Sequence, residues 1–217
     1  MQILTFPTGR INSNCYLVEK HGKCLVIDVA YHCQKLIEHI NTNNLQVVAI
    51  LLTHGHFDHC GGVEELKRGC NLVDVPVYVH KDDAQLCTEA QHNWFRITCE
   101  NCYPTHFVDE GSLQIENFNL QVLHTPGHTP GSVVYLLEDM MFSGDTLFYM
   151  SVGRTDFPGG DINQLKNSLR KIANLPINYK IYPGHSQCTT LQAELQHNPY
   201  LNWRCTPTFA IPQKFTM

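Results

Sequence analysis

The run LQVVAILL at positions 45–52 is apolar without alternation, and at that length it predicts a strand buried on both faces. Before it, β-branched and aromatic residues cluster at positions 2–6, 14–18 and 23–29, with Gly22 as a turn, and predict three short strands. Leu36, Ile37 and Ile40 recur at helical spacing and predict a helix over 31–43. Further on, the pattern predicts a short helix at 63–68, a strand at 76–80 and a helix at 81–91. Positions 92–103 carry no period and read as a loop.

From Thr105 the chain changes to a meander of short strands: THFVD, SLQI, NLQVLH, GSVVYLL and DMMFSG, with turns at Glu110-Gly111 and Glu138-Asp139. Asp161 is placed to cap a helix over 162–173, and 179–182 reads as a strand. Thr189 or Thr190 caps a last helix that runs to about His197 and is stopped by Pro199. Positions 201–217 have no readable period. Each half of the chain thus begins with meandering strands and ends with helix, strand and helix. That order predicts an α/β fold of two sheet-plus-helix halves stacked as a four-layer αββα sandwich, in a single domain over residues 1–217. No repeat, linker or low-complexity segment interrupts it.

Composition narrows the function classes. The 217 residues are 43% hydrophobic and 16% charged, with a formal net charge of −5. That balance fits a soluble globular chain and gives no general attraction for nucleic acid or anionic membrane. MQILTFPTGR lacks the apolar core of a secretory signal, and no run approaches the roughly 18 apolar residues of a membrane span. A cytoplasmic location follows as the expectation, with the ten cysteines reduced rather than paired. Cys99 and Cys102 form one CxxC. Without a second ligand pair they read as two semi-exposed thiols.

The chemistry is concentrated in THGHFDH, residues 53–59, where three histidines and an aspartate follow the apolar strand at once. Alternate residues of an extended segment point the same way, so His54 and His56 can reach one centre, while Asp58 and His59 turn toward a second. Buried together, these groups each need a partner, and a shared cation supplies one. Imidazole and carboxylate are standard ligands of zinc, iron and manganese. Three later segments offer ligand types in the same position just past a strand: His128 in LHTPGHTPGS, Asp145 in MMFSGDTLF, and His185 in YKIYPGHSQ. Asp28, at the end of LVIDV, could orient a ligand histidine, and Thr53 and His124 are further supports. Cys60 beside the ligands reads as a packing residue.

These segments resemble the metallo-β-lactamase fold, over roughly positions 14–200. LHTPGHTPGSVVY, SGDTLF, VGRTDFPGGD and HNPYL are most similar to glyoxalase II-like proteins, in the short form without the C-terminal helical domain of hydroxyacylglutathione hydrolases. After Asp28 this chain reads DVAYHC where the family usually continues with Pro-Gly, a difference in loop shape rather than in ligands. The resemblance implies two divalent metal ions, zinc first, with iron or manganese as alternatives. His54, His56 and His128 would hold one and Asp58, His59 and His185 the other, with Asp145 bridging. It further implies that a metal-bound hydroxide, oriented by Asp58, attacks a thioester carbonyl of a small-molecule substrate. Arg154 offers a bidentate site for a substrate carboxylate, or else pairs with Asp156.

GRTDF also resembles persulfide dioxygenases, which use one iron held by two histidines and the aspartate, here His54, His128 and Asp145. The complete second ligand set favours the hydrolase. Net acidity disfavours a nuclease, the missing signal disfavours a periplasmic lactamase, and intact ligand positions disfavour a module without catalysis. The oligomeric state is not written in the sequence.

Overall fold

The computed structural model describes residues 1–201. In chain order the elements are β1 (Gln2–Thr8), β2 (Ser13–Lys20), β3 (Lys23–Ile27), α1 (Gln34–Thr42), β4 (Gln46–Leu51), α2 (Phe57–Cys60), α3 (Val63–Gly69), β5 (Val77–His80), α4 (Ala84–Thr88) and β6 (His106–Val108). The second half holds β7 (Gly111–Ile115), β8 (Phe118–His124), β9 (Val133–Leu137), β10 (Met140–Gly144), β11 (Leu147–Phe148), β12 (Ser151–Val152), α5 (Ile162–Ala173), β13 (Lys180–Pro183), β14 (Thr189–Thr190) and α6 (Leu191–His197). One sheet runs β1-β2-β3-β4-β5-β6 and the other β14-β13-β10-β9-β8-β7, while β11 and β12 form a separate ribbon.

The period-two geometry of strands makes four layers from these two sheets. In β2 and β3, Cys15, Leu17, Cys24 and Val26 face α1 and α3 in one core, while Tyr16, Val18, Leu25 and Ile27 face the opposite sheet in a second. β4 feeds both: Ile50 points to the helices, and Ala49 and Leu51 point between the sheets. That is why LQVVAILL shows no alternation. The other sheet divides likewise, with Tyr135 and Phe142 turned inward and Val134, Leu136 and Met141 packed on α5 and α6.

The cap at Asp161 forms as expected, its Oδ1 accepting from the amides of Asn163 at 2.7 Å and Gln164 at 3.1 Å. Thr190, not Thr189, caps α6, accepting from Ala193 N at 3.2 Å. Three expectations need correction. Residues 106–108 do not open the second meander. They pair parallel to β5 as the edge of the first sheet, because Thr105 bonds Val77 through both its amide, at 3.0 Å, and its hydroxyl, at 2.9 Å. Residues 81–91 are not one helix but a 3-10 turn (Lys81–Asp83), the short α4 and another such turn (Ala90–His92). The Asp83 side chain is drawn inward there, away from a solvated helix face. Cys99 and Cys102 are buried rather than semi-exposed, with the Cys99 thiol donating to Ala90 O at 3.2 Å and the Cys102 amide to Cys87 O at 2.9 Å. Cys205 and most of the 201–217 segment lie outside the described residues. Among the described residues no helix is long and apolar enough to cross a membrane.

Candidate metal centre

Every segment singled out for chemistry lies just past the C-terminal end of a strand. Asp28 follows β3, His54 follows β4, His128 follows β8, Asp145 follows β10 and His185 follows β13. The two sheets therefore deliver polar side chains to one edge of the sandwich, held on a rigid support. Within THGHFDH the chain turns into the single-turn α2, a helix not anticipated from the pattern. It carries Asp58 toward His185, while His59 stays beside His54 with ring centroids 4.1 Å apart.

The structure brings all seven sequence-derived candidates together. Three overlapping groups have ligand atoms within 4.8 Å of one another: His54, His56 and His128; His54, His59 and Asp145; and Asp58, His59 and His185. Asp145 spans the two ends, with Oδ1 3.3 Å from His59 Nε2 and Oδ2 3.5 Å from His128 Nε2 and 3.8 Å from His185 Nε2. Asp58 Oδ2 lies 3.0 Å from His185 Nε2 and 3.3 Å from His59 Nε2, and accepts from Ser13 Oγ at 3.1 Å. Gly184 is needed beside them, since a Cβ there would stand 2.3 Å from Asp145 Oδ1 and 2.7 Å from His59 Cε1.

Outer hydrogen bonds set which ring nitrogen faces the centre. Asp28 Oδ2 takes the Thr53 hydroxyl at 2.7 Å and the His59 Nδ1–H at 2.9 Å. With its proton so used, Thr53 Oγ1 accepts from His54 Nδ1 at 3.1 Å. His128 Nδ1–H donates to Arg154 O at 2.7 Å. When neutral, each of these imidazoles thus has its Nε2 lone pair facing the interior, the arrangement that ligation requires. Asp28 is held in the left-handed region at φ 54°, a conformation that costs a non-glycine residue of order 1 kcal/mol and here aims its carboxylate. Asn14 and Tyr16 brace the His185 turn, donating to Pro183 O at 2.9 and 2.6 Å, with a further Asn14 bond to Ser186 O at 2.8 Å. Asp28→Ala is expected to weaken metal binding by ~10–100-fold, the usual effect of losing a group that orients a ligand histidine. Chelator competition on the purified variant checks it, and wild-type affinity would exclude the orienting role.

The protonation states of His54, His56, Asp58 and Asp145 suit ligation. Burial lowers the pKa of His54, with His59 adding to the effect, and burial with His128 takes His56 to about 3, so both rings are neutral at ordinary pH. Burial alone would raise Asp145 and Asp58. The neighbouring imidazoles outweigh it and hold both carboxyls low and ionised. Burial works against protonating His59, but Asp58, Asp145 and Asp28 prevail and raise its pKa. The carboxylates thus draw positive charge to the centre.

The residues fit a metal on an independent count. Among the described residues four buried side-chain atoms lack a hydrogen bond, and three of them are His54 Nε2, His59 Nε2 and Asp145 Oδ1. Orphaned buried polar atoms are rare and costly, and convergence of three on one point is what a cation would satisfy. Cys60 takes no part, its thiol donating to Gly55 O at 3.4 Å. His124 lies apart from the seven. It donates Nε2–H to Pro130 O at 2.9 Å and stacks on His80 with centroids 4.2 Å apart and planes 10° from parallel. Those two rings and Asp82 lie close enough to be a metal group, but parallel rings cannot both aim an in-plane lone pair at one ion. Arg154 does not present a free guanidinium. Its Nε and Nη2 both donate to Asp156 at 2.6 Å, and its Cζ sits 4.0 Å over the Phe157 ring. Phe157 in turn lies edge-on to His56, with Phe95 beyond it and Phe148 beside His185, an aromatic rim around the centre.

Comparison with known proteins agrees with this geometry. Residues 8–185 match the family model of the metallo-β-lactamase superfamily. The chain is 32% identical to hydroxyacylglutathione hydrolase GloC of Haemophilus influenzae, over 93% of this chain and 99% of that protein. It is similar to the crystal structure of TTHA1623 in a di-iron-bound form (TM-score 0.82, 38% identity, 91% of this chain and 100% of that one). It is also similar to ETHE1 from Myxococcus xanthus (TM-score 0.74, 27% identity, 92% of this chain and 84% of that one). With its matched length, its two stacked sheets and its His/Asp cluster at their shared edge, the chain belongs to the metallo-β-lactamase superfamily of metallo-hydrolases.

Proposed function

We propose that this metallo-hydrolase cleaves a small-molecule thioester of the hydroxyacyl-glutathione type at a centre for two divalent cations, zinc first, with iron or manganese able to serve. The observation that carries the reading is the intact second group, Asp58, His59 and His185, beside His54, His56 and His128. In the mononuclear-iron reading, with one iron held by His54, His128 and Asp145, that second group would hold no metal. The likeness to GloC over nearly the whole of both chains supports the substrate class. The likeness to ETHE1 keeps the mononuclear-iron persulfide dioxygenase as the second reading, which predicts one iron per chain and oxygen uptake.

Cations held by these residues would polarise the thioester carbonyl and acidify a bound water. The chain's own groups do the rest. Asp145, whose carboxylate oxygens lie 3.3 Å from His59 Nε2 and 3.5 Å from His128 Nε2, would balance cation charge at both ligand groups. Asp58 Oδ2, facing the cluster beside Ser13, is the acceptor placed to orient that water. Phe157 and Phe148, each part-buried beside a ligand histidine, put apolar surface at the rim, which strengthens the electrostatic contacts next to it. Because Asp156 neutralises Arg154, Arg154→Ala is expected to change kcat/KM by less than about fivefold, the equivalent of ~1 kcal/mol for an exposed ion pair. A larger loss confined to KM would instead make its guanidinium a substrate contact. The reading as a whole is tested by metal analysis and S-lactoylglutathione hydrolysis on one preparation. Two metals per chain with turnover supports it. One iron with sulfite formed from glutathione persulfide sinks it.

A further inference from the structure

Asp83 supplies no metal ligand, yet its carboxylate is fully buried and spends every strong contact on the segments that carry ligands. Oδ2 accepts from the Gly55 amide at 2.9 Å and the Thr129 hydroxyl at 2.6 Å, and Oδ1 accepts from the Gly131 amide at 2.6 Å. Gly55 lies between His54 and His56, and Thr129 directly follows His128. One carboxylate therefore ties the loop after β4 to the loop after β8, and those loops hold the three imidazoles of one metal position. The approach is close enough that a Cβ at Gly131 would stand 2.7 Å from the Asp83 carboxyl carbon. Burying this charge is costly, and three donors converging on it offset the cost.

We propose that Asp83 is a positioning residue that sets the spacing of His54 and His56 against His128, and with it the affinity of that metal position alone. The division of labour is physical. Asp28 bonds the His59 ring and Thr53 directly, whereas Asp83 touches no imidazole and acts by holding two backbones at one separation. Three nitrogens on two independent loops bind a small cation well only if the loops do not drift. The proposal rests on the metal-centre reading and is indifferent to which thioester is cleaved.

The test measures zinc stoichiometry and affinity by chelator competition in the full chain, for Asp83→Asn and for the milder Thr129→Val, which removes a single donor. Asn turns an N–H toward groups that are themselves donors, so the brace is broken at similar volume. Asp83→Asn is expected to weaken one zinc by ~10–100-fold and leave the other unchanged. Thr129→Val should shift the same zinc by less. Placing Asp83→Asn in two backgrounds assigns the position. With His185→Ala, where the three-histidine position is the stronger, the loss should persist. With His128→Ala, where that position is already broken, Asp83→Asn should have no further effect. Wild-type affinity in both variants, equal weakening of both zincs, or the same loss in the His128→Ala background would each overturn the proposal. If Asp83→Asn does not fold, Thr129→Val decides by itself. A wild-type chain that binds a single zinc would sink the two-metal reading, while leaving the Asp83 effect on that zinc to be read directly.

Discussion

Asp58→Ala is expected to lower thioester turnover on the order of 10²–10⁴-fold, the range that a positioned acid–base group contributes. The residue is buried, and its Oδ2 is shared by His185 Nε2 at 3.0 Å, His59 Nε2 at 3.3 Å and Ser13 Oγ at 3.1 Å. Alanine removes the acceptor that all three face. The fold should survive, because Asp58 takes no part in the three hydrophobic cores. Steady-state kinetics with metal content measured on the same sample checks the expectation. Asp58→Asn, which keeps the volume, separates the loss of charge from the loss of packing. Turnover within tenfold of wild type, with both metals retained, would remove Asp58 from the mechanism.

Metal removal should have the other large effect. Without a cation, His54 Nε2 is buried with nothing to bond, and Asp58 and Asp145 face each other as anions with only His59 Nε2, 3.3 Å from each, between them. A ligand present at 100 times its dissociation constant stabilises a fold by about 2.7 kcal/mol, so two such ions contribute on the order of 5 kcal/mol. For a chain of this size that corresponds to a fall in Tm of ~10–20 °C on chelation, along with loss of turnover. Calorimetry before and after chelation, then re-addition of zinc, iron or manganese, measures both effects and ranks the metals. An apo chain that melts where the holo chain does would mean that the cluster is not a metal site.

Much of the centre is legible in the chain itself. His54, His56, Asp58 and His59 are dense and local, and His128, Asp145 and His185 each follow a strand, a context that a pattern of apolar residues reveals. Asp28 is legible for the same reason as a group that orients a ligand histidine, and the fold makes that histidine His59. Asp83 is not. In KDDA it looks like ordinary acidic decoration at a helix start, and its partners lie 28, 46 and 48 residues away. Asn14 and Tyr16 escape notice similarly, since the carbonyl they hold is at Pro183. The sheet that β6 joins is not legible either, because hydrophobic alternation marks a strand without naming its neighbour, and the Thr105–Val77 bonds that choose one are long-range.

The order of the layers and the types of ligand are written in local patterns along the chain. Period-two alternation, the unalternating β4 run and the Asp161 cap follow from local sterics and burial, which depend on near neighbours, whereas the choice of Thr190 over Thr189 does not. Only the tertiary structure decided which atoms meet. It turned His54, His59 and His128 so that Nε2 faces inward, it spent the Arg154 fork on Asp156, and it put one buried carboxylate between two ligand loops. Those choices rest on rotamers and hydrogen bonds between segments far apart in the chain, and no local pattern encodes a partner that arrives only when the sheets stack.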